Sequence, residues 1–542
     1  MRKLFIAALV ACLVAAFAPI GRTDENLLQL VRIKVTSPEQ AAYLMTHFDE
    51  SHNHSADEIE IIAWPGDRAQ LDALGYDYRV VVEDLVARGR AETAKPKIRV
   101  PLPGPDYSDY RVLDDYNREM RELAEKYPKF VKLFELPRPS LEGRPIYGLE
   151  IGVDVKDSKS DGRPIFYIDA VHHAREWPAS EFTMMFAHFL LEEVKSGIGS
   201  NIGKASLAWQ VMDALLKARV ILVPVVNVDG FHFSRSDPTS LTQPTRDHTW
   251  PTAAGNGFAG YWRKNRRSLT GVTAPVAETN PDAYGVDPNR NYAFLWGDQQ
   301  GGSANEIYSQ TYRGETPFSE PEVANVRDII LSRNVTSVVT NHTVQATVLR
   351  AGGGKAPDDD DLERIGQKMA ELLLFRNNPT VGYPTTGTTD DWAYAAIGSY
   401  GWTIEHGGSD FHCAYSECVQ NPTERTMEAF MIALETAIDS RYHSVIKGRV
   451  LDGQANLTLI KKFKTPLSPG NPLAKKFVVE KLRYKLQTHP NGMFEWHIGP
   501  SYRPYEKKAE SYTLTITAGG KTKTIEVFVK RGQTLDLGTI RF

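Results

Sequence analysis

Residues 171–178 read V-H-H-A-R-E-W-P and lie between a short β-branched run at 165–170 and a helical pattern at 177–193. His173 and Glu176 are three residues apart, so both side chains can reach one point from a single turn of backbone. Imidazole nitrogen and carboxylate oxygen are both zinc ligands. The pair alone is a weak signal, because a surface loop with a solvated histidine and glutamate has the same spacing.

A third possible ligand and a set of charged residues follow further along the chain. His342 stands at the end of an apolar β-branched run, and Glu405 stands at the end of another. Arg263 and the adjacent pair Asn289-Arg290 lie between the first histidine motif and His342. A zinc ion that is held by three protein groups keeps its fourth position for water, which is the catalytic rather than the structural pattern. The residue set therefore favours a catalytic zinc site.

The composition is that of a soluble globular protein with more than one domain. The chain has 542 residues, of which 42% are hydrophobic and 24% are charged, and it is too long for one ordinary domain. The formal net charge of −4 predicts no nucleic-acid partner. Charge is uneven, because the stretch from Arg441 to the C-terminus has 19 Lys and Arg against 7 Asp and Glu. This basic region could contact an anionic surface, although a solvated face gives the same surplus.

The N-terminus has the pattern of an export signal. Two basic residues precede an apolar run at residues 4–17, which is too short to cross a membrane as a helix. We therefore predict a signal peptide at residues 1–22, no transmembrane segment, and an extracellular or periplasmic location. In an oxidising compartment the close pair Cys413 and Cys418 is expected to form a disulfide, the alternative being two unpaired thiols.

Three regions follow the signal. Residues 24–104 hold a small unit of alternating strand and helix patterns and then, from Arg88, a linker in which basic residues stand among Ala, Pro and Gly. Proteases cut exposed segments of this kind, although the linker could also be a plain tether. Residues 105–440 combine continuous apolar runs with helical patterns, which is typical of an α/β sheet covered by helices. Residues 446–542 alternate in polarity between Pro and Gly clusters, which predicts a β-sandwich.

Two polar clusters outside these motifs have both a plain and a metal-binding interpretation. His47, His52 and His54 stand in an acidic, polar stretch, which we interpret as a solvated loop rather than a metal site. The four aspartates at residues 358–361 stand just before a helical pattern, where acidic side chains suit the helix dipole. They could also bind Ca²⁺, since hard cations take oxygen ligands, but we favour the role at the helix start.

Seven motifs between residues 107 and 440 occur in the order found in one enzyme family. They are H-A-R-E-W (173–177), Y-W-R-K-N-R (261–266), V-D-P-N-R-N (286–291), Y-R-G-E-T-P-F-S-E-P-E (312–322), N-H-T (341–343), Y-P-T-T-G-T-T-D-D-W (383–392) and W-T-I-E (402–405). On these motifs the chain resembles zinc metallocarboxypeptidases of the carboxypeptidase A/B type, and within that type it is most similar to secreted bacterial carboxypeptidase T. Neither flanking region carries any of the motifs.

The resemblance implies a fold and an activity. The central region would be α/β, with a mixed β-sheet flanked by helices, and the unit before it would be an N-terminal α+β pro-segment that covers the mouth of the active site. An activating protease would release this pro-segment by cutting the linker, and the C-terminal all-β sandwich would be an accessory domain. The activity would be that of a secreted zinc-dependent exopeptidase that releases single residues from peptide or protein C-termini.

The resemblance also implies catalytic roles. His173, Glu176 and His342 would bind one Zn²⁺, which acts as a Lewis acid and lowers the pKa of a bound water. Glu405 would be the general base that takes a proton from this water and later gives it to the departing amine. Arg263 would stabilise the negative charge that develops on the scissile carbonyl oxygen.

Five further residues would bind the substrate. Arg290, with Asn289 beside it, would pair with the C-terminal carboxylate, because a guanidinium matches a carboxylate in bidentate geometry. Tyr383 would close over the terminal residue, and Arg175 would contact the substrate further up the chain. Asp390 aligns with the pocket floor, which is apolar in carboxypeptidase A and carries an aspartate in carboxypeptidase B. Carboxypeptidase T has a similar T-T-D-D-W sequence and accepts both residue classes, so the resemblance implies that hydrophobic and basic terminal residues are both accepted.

Two alternatives from other functional classes stay open at this stage. One is a zinc deacylase acting on small N-acyl compounds or cell-wall peptides, which would share the H-x-x-E motif and a remote histidine but would not need the motif at 383–392. The other is a non-catalytic binding protein on the same fold. Release of a free C-terminal amino acid from an ordinary peptide would separate the carboxypeptidase from both.

Overall fold

The computed structural model describes most of the chain in twelve stretches, namely residues 27–54, 57–64, 66–88, 109–155, 161–199, 205–235, 258–269, 284–298, 303–307, 309–380, 385–505 and 508–542. The predicted signal peptide and nearly all of the predicted linker lie outside these stretches. Within them, no helix combines the length and the apolar character needed to cross a lipid bilayer.

A small α+β unit stands at the N-terminus. Its elements are β1 (Gln29–Lys34), α1 (Pro38–His47), β2 (Asp49–His54), β3 (Glu58–Ala63), α2 (Asp67–Leu74) and β4 (Tyr78–Val82). The sheet order is β2-β3-β1-β4, and each neighbouring pair is antiparallel. The apolar side of β1 and β3 packs under α1, with Val31, Ile33, Leu44 and Ile61 in the core.

The interpretation of the histidine-rich stretch as a loop is wrong. His47 ends α1, and the residues after it form the edge strand β2. The stretch is too polar for its own pattern to indicate a strand. It adopts one because β3 offers a row of backbone partners, with Asp49 opposite Ile62 and Glu50 opposite Ile61.

An eight-stranded sheet forms the central region. Its strands in chain order are β5 (Val131–Glu135), β6 (Tyr147–Ile151), β7 (Ile165–Ala170), β8 (Arg219–Val223), β9 (Val335–Val344), β10 (Thr347–Arg350), β11 (Arg376–Asn378) and β12 (Tyr400–Gly407). In space the order is β11-β10-β12-β9-β7-β8-β6-β5. The four middle strands run parallel, whereas β10, β6 and β5 pair antiparallel with a neighbour. The predicted mixed sheet is therefore confirmed.

Helices cover this sheet. They are α3 (Leu113–Lys126), α4 (Trp177–Gly199), α5 (Ala205–Lys217), α6 (Val228–Ser234), α7 (Pro321–Ser332), α8 (Asp359–Leu373), α9 (Thr389–Ile397) and α10 (Thr423–Ile438). Helices α4 and α10 pack against β7 and β9, and α9 packs against β12 and β9. Every residue of β7 and β8 is buried, which requires cover on both faces of the sheet.

Two boundaries differ from the sequence-based expectation. The strand formed by the β-branched run before His342 continues to Val344, so His342 lies inside β9 rather than at its end. The strand continues because β12 pairs with it residue by residue to its end. Helix α8 begins at Asp359, so three of the four aspartates lie in its first turn, where Asp359 also binds Arg350.

The C-terminal region is a β-sandwich, as predicted. One sheet has the order β16 (Met493–Ile498), β13 (Ser444–Val450) and β21 (Thr534–Ile540); the other has the order β15 (Phe477–Gln487), β14 (Asn456–Pro466), β19 (Tyr512–Ala518) and β20 (Lys521–Val527). Strands β17 (Tyr502–Arg503) and β18 (Lys508–Ala509) pair antiparallel as a separate two-stranded hairpin. The buried residues of the sandwich and of the central region form one continuous apolar cluster, so the two regions share a core.

Candidate metal centre and active site

Three side chains converge where β7 ends beside β9. His173 Nδ1 lies 2.7 Å from Glu176 Oε1, and His342 Nδ1 lies 2.8 Å from Glu176 Oε2. The two imidazole Nδ1 atoms are 3.1 Å apart, and all three side chains are buried. Across the described stretches, this is the one group of His, Cys, Asp and Glu with donor atoms close enough to hold a metal ion.

The donor set fits zinc. Ligands that lie about 2.1 Å from a tetrahedral zinc ion are roughly 3.4 Å from one another. The donor atoms of the cluster are 2.7 to 3.1 Å apart, which is close to that spacing. Two imidazoles and one carboxylate are a familiar zinc set that leaves a position open.

Burial and charge bring two of these groups to the protonation states that bind a metal. Burial, followed by the charge of Arg263, lowers the pKa of His173 to about 4, so its imidazole is neutral at pH 7. Burial alone would raise the pKa of Glu176, but the two histidines hold it well below its usual value. The pKa of His342 is raised, because attraction to Glu176 outweighs burial. A metal ion must therefore compete with a proton at His342.

Asp287 is a site residue that the sequence analysis missed. Its Oδ1 atom lies 3.2 Å from His173 Nε2, and its Oδ2 accepts a hydrogen bond of 2.9 Å from Arg263 Nη2. Although burial opposes it, the charges of Arg263 and His173 hold the pKa of Asp287 well below its usual value. A carboxylate on the outer nitrogen of a metal-binding histidine fixes the orientation of the ring. The available signal is its place in the motif at 286–291.

Arg263 is held rigidly near the donor cluster. Its Nε and Nη2 atoms donate to Asp287 Oδ2 at 3.2 and 2.9 Å, and the side chain is buried. The Ala174 amide donates to the Arg263 carbonyl at 2.9 Å, which ties this segment to the loop that carries His173. A cation fixed in this way keeps its position while charge develops nearby.

The sheet places Glu405 beside His342. Strands β12 and β9 are parallel, and Glu405 and His342 are direct partners in the ladder, so their side chains leave the same face. Glu405 is buried, and its Oε2 atom has no hydrogen-bond partner in the described part of the chain. Burial raises the pKa of Glu405 to about 8, against the lowering effect of His342.

A cavity of about 650 Å³ opens beside the cluster. His173, Asn289, Arg290, Asp390 and Glu405 all line it. Residues from four separate parts of the chain, predicted for metal binding, catalysis and substrate recognition, therefore face one space. Its size is that of a pocket for a small ligand or side chain.

Asn289 connects the donor cluster to the cavity. Its Nδ2 atom lies 3.3 Å from His342 Nε2, and its Oδ1 accepts a hydrogen bond of 3.1 Å from the Thr389 amide at the start of α9. The Asn289 carbonyl also accepts from Arg290 Nη1 at 2.9 Å. This arrangement holds the pair Asn289-Arg290 against the helix that carries Asp390.

Two adjacent carboxylates stand at the first turn of α9. Asp391 accepts hydrogen bonds from the Gly352 amide at 2.7 Å and from Thr388 Oγ1 at 3.0 Å. Burial raises the pKa of Asp390, and burial together with Asp390 raises that of Asp391 to about 7. Both residues line the cavity, so this end of the pocket is acidic.

Arg175 forms an ion pair with the N-terminal unit. Its Nη1 and Nη2 atoms bind Asp49 Oδ2 and Oδ1 at 2.5 and 2.8 Å, and its guanidinium lies 4.5 Å from the ring centroid of Phe411. Cys413 and Cys418, close by in sequence, are joined by a disulfide. Tyr383, the last predicted site residue, lies outside the described residues.

The sequence profile of zinc carboxypeptidases matches residues 116–427. The chain belongs to the zinc carboxypeptidase family. The matched segment contains the donor cluster, Arg263, Asp287 and Glu405. This zinc carboxypeptidase is thus a hydrolase of the metallocarboxypeptidase class, whose members use Zn²⁺ and act on peptide C-termini, which confirms the predicted family and enzyme class.

Curated relatives of this zinc carboxypeptidase align over more than half of its length. Carboxypeptidase O from Homo sapiens is 27% identical over 372 residues, which are 65% of this chain and 86% of that protein. Carboxypeptidase A2 from Rattus norvegicus is 28% identical over 350 residues, which are 62% of this chain and 72% of that protein.

Two solved structures share the fold. Carboxypeptidase A from Helicoverpa armigera aligns with a TM-score of 0.56 and 21% identity, over 76% of this chain and 98% of that one. Thrombin activatable fibrinolysis inhibitor aligns over the same shares with a TM-score of 0.57 and 19% identity.

Proposed function

We propose that this zinc carboxypeptidase is exported and releases single hydrophobic or basic residues from the C-termini of peptides. One observation carries the proposal. The buried cluster of His173, Glu176 and His342 borders the cavity that Arg290 and Glu405 also line. A metal centre, a base and a carboxylate-binding arginine in one pocket are what removal of a C-terminal residue requires.

In the proposed mechanism, His173, Glu176 and His342 would hold zinc, which would supply Lewis-acid chemistry toward the peptide carbonyl and the attacking water. Burial raises the pKa of Glu405 to about 8, but the positive charge of zinc at the donors would favour its carboxylate form. In that form Glu405 takes a proton from the attacking water and then delivers it to the departing amine. Arg263 stabilises negative charge at the carbonyl oxygen, and its fixed position means that little reorganisation is needed. Asp287 is a positioning residue, because it holds both Arg263 and His173.

Recognition of the terminal residue follows from the rest of the pocket. Arg290 binds the free carboxylate through paired N–H donors. Asp390 attracts a basic side chain. A hydrophobic side chain can pack against the apolar cavity residues Phe294, Leu295 and Leu349. A pocket that combines an acidic end with apolar walls supports acceptance of both classes.

The N-terminal unit acts as an inhibitory pro-segment in this proposal. Its Asp49 accepts hydrogen bonds from both terminal nitrogens of Arg175, the arginine expected to contact substrate. Trp64 of the same unit donates to Asp49 and shares an apolar cluster with Tyr261 and Phe411 of the central region. The unit therefore covers the side of the cleft along which a peptide would extend.

Removal of this unit would depend on cutting the linker. Arg88, the first residue of the linker and its one described residue, binds Asp410 Oδ2 at 2.8 Å and the Ser409 carbonyl at 2.8 Å. While the linker is intact, the unit is at high effective concentration beside the cleft. A cut by an activating protease after Arg88 removes that advantage, so the unit can dissociate and the enzyme becomes active.

The C-terminal sandwich contributes a basic surface that could contact an anionic partner. The outer face of β14 and β15 carries the exposed cations Lys462, Lys464, Lys481, Arg483 and Lys485. They alternate with buried residues along each strand, so they share one side of the sheet. Cations on one face attract an anionic surface more strongly than the same charges spread around a domain.

The function is tested with peptides that end in Leu or Arg, each paired with a C-terminal amide. We expect loss of one terminal residue from the free acids only, and loss of activity on chelation of zinc. Glu405→Gln should retain zinc and lose activity by roughly a hundredfold or more. Cleavage of the amides would contradict the proposal. So would a failure of zinc-loaded protein, cut in the linker, to cleave either free acid.

A further inference from the structure

We propose that the C-terminal sandwich forms part of the substrate pocket, and that Tyr505 of this domain contacts the side chain of the residue to be released. The inference rests on the proposed carboxypeptidase function and deepens it. It assigns a specificity role to a region outside the segment that matches the family, which ends at residue 427.

Tyr505 reaches the pocket from the hairpin of the sandwich. It stands two residues after the end of β17, and it lines the same cavity as Arg290 and Asp390. Its ring centroid lies 4.7 Å from that of Phe294 and 5.6 Å from that of Tyr394. The ring is thus held between the segment that follows Arg290 and the helix that carries Asp390.

The Tyr505 hydroxyl is buried and has no hydrogen-bond partner among the described residues. A buried hydroxyl without a partner is costly, so an unfilled bond here indicates a place for a ligand group. Burial, with the charges of Asp391 and Asp390, raises the pKa of Tyr505. The hydroxyl therefore stays protonated at neutral pH and can both donate and accept.

Gly352 makes room for this hydroxyl at the cavity wall. A Cβ atom at position 352 would lie 2.3 Å from Tyr505 Oη, and the residue has φ +86°, which favours glycine. The Gly352 amide donates to Asp391. The hydroxyl and the acidic end of the pocket therefore meet at one backbone turn.

The sandwich also fixes the helix that carries the two aspartates. Arg503 Nε donates to the Ala395 carbonyl at 3.2 Å, and Trp392 Nε1 donates to Glu480 Oε2 at 3.3 Å. Arg531 Nη1 donates to the Gly398 carbonyl, just after α9, at 3.0 Å. These contacts from separate parts of the sandwich hold α9 at three points, and the contact from Arg503 ties the hairpin to the helix that carries Asp390.

The chemistry of this pocket end selects a basic terminal residue. A phenol oxygen accepts a hydrogen bond from a guanidinium or ammonium group, and a nearby carboxylate supplies the opposite charge. A leucine side chain offers no donor and gains nothing from the hydroxyl. Tyr505 should therefore favour terminal Arg and Lys over terminal Leu.

The test compares Tyr505→Phe, which removes only the hydroxyl, with Tyr502→Phe, which makes the same change in the same hairpin away from the cavity. Full-chain protein, before and after limited cleavage of the linker, is assayed for kcat/KM on peptides ending in Arg, Lys or Leu. We expect Tyr505→Phe to lose roughly tenfold on Arg and Lys, the effect of one hydrogen bond to a charged group. Leu and the Tyr502→Phe control should change less than twofold.

Binding provides a second readout. In the Glu405→Gln background, calorimetry with free arginine and free leucine should give weaker arginine binding for Tyr505→Phe and unchanged leucine binding. An equal loss for Arg and Leu, or no change for either, would overturn the role of Tyr505 while leaving the carboxypeptidase function intact. If the wild type cleaves no peptide, the proposed function itself fails, so the two failures are distinct.

Discussion

Asp49 and Arg175 form a bidentate ion pair across the boundary between the N-terminal unit and the central region, with both side chains buried. Truncation of one partner of such a pair leaves the other charge buried and unpaired, which is strongly unfavourable. The ion pair therefore makes docking of the N-terminal unit sensitive to a single side chain.

Asp49→Ala should activate the uncut chain. Loss of the carboxylate leaves Arg175 without its counter-ion and weakens docking of the unit, so we expect peptide cleavage by uncut protein to rise at least tenfold. Rates are measured before and after linker cleavage. The control is Glu58→Ala, which removes an acidic group of the same unit that pairs with the exposed Arg79. An uncut Asp49→Ala chain as inactive as the wild type would argue against this pro-segment role.

Asp287→Asn should weaken zinc binding. Asp287 orients His173 and holds Arg263, and loss of such a supporting carboxylate typically costs 10- to 100-fold in metal affinity. Zinc affinity is measured by competition with a chelator. Asp229→Asn is the matched control, because Asp229 is also buried but binds Ser140 and Arg144 away from the donors. Asp229→Asn should lower stability without changing zinc affinity. Equal zinc affinity in the two variants would show that Asp287 does not support the metal site.

Protonation of His443 should lower the free energy of unfolding as the pH falls. Burial, followed by the neighbouring His497, lowers the pKa of His443 to about 3 in the folded protein. An unfolded histidine titrates near 6.5, so between pH 6.5 and 3 the unfolded state binds the extra proton. Stability therefore falls as pH is lowered through this range, by at most about 1.4 kcal/mol per pH unit from this residue.

Urea unfolding of His443→Gln at several pH values checks this. The variant should have a shallower loss of stability between pH 6 and 4 than the wild type. His489→Gln, at an exposed histidine, serves as the control and should keep the wild-type slope. Identical slopes for all three proteins would mean that His443 does not stay neutral in the fold.

The basic face of the sandwich should bind anionic vesicles. Lys481→Gln combined with Lys485→Gln removes two cations from that face and should weaken binding by roughly thirtyfold, at about 1 kcal/mol per lysine. Sedimentation with vesicles of phosphatidylserine and phosphatidylcholine measures the affinity. Lys475→Gln combined with Lys476→Gln makes the same charge change in an exposed turn and should have a smaller effect. An equal loss of vesicle affinity in the two double variants would mean that binding depends on net charge rather than on this face.

Elements with a strong local period were predictable from sequence. Strand β7 has the bounds of the β-branched run at 165–170. In α3 the buried residues Leu113, Tyr116, Met120 and Leu123 recur at intervals of three and four, so one face is apolar whatever it packs against. The metal motif was equally local, because His173 and Glu176 need only one turn of chain to meet.

The rest depended on partners that are distant in sequence. Strand β2 is polar and forms only because β3 pairs with it, and Asp287 has no pattern that separates it from a surface aspartate. Asp49 meets Arg175 across 126 residues, and Tyr505 reaches a pocket built by residues from 173 to 466.

By itself, then, the sequence determined the family, the candidate metal donors, and the helices and strands whose burial follows from their own periodicity. The tertiary structure alone decided that the N-terminal unit binds Arg175 and that the C-terminal sandwich lines the cavity beside the donor cluster. The physical reason is that periodicity records which face of an element is buried, whereas the identity of the contacting partner is set by how the chain closes in space.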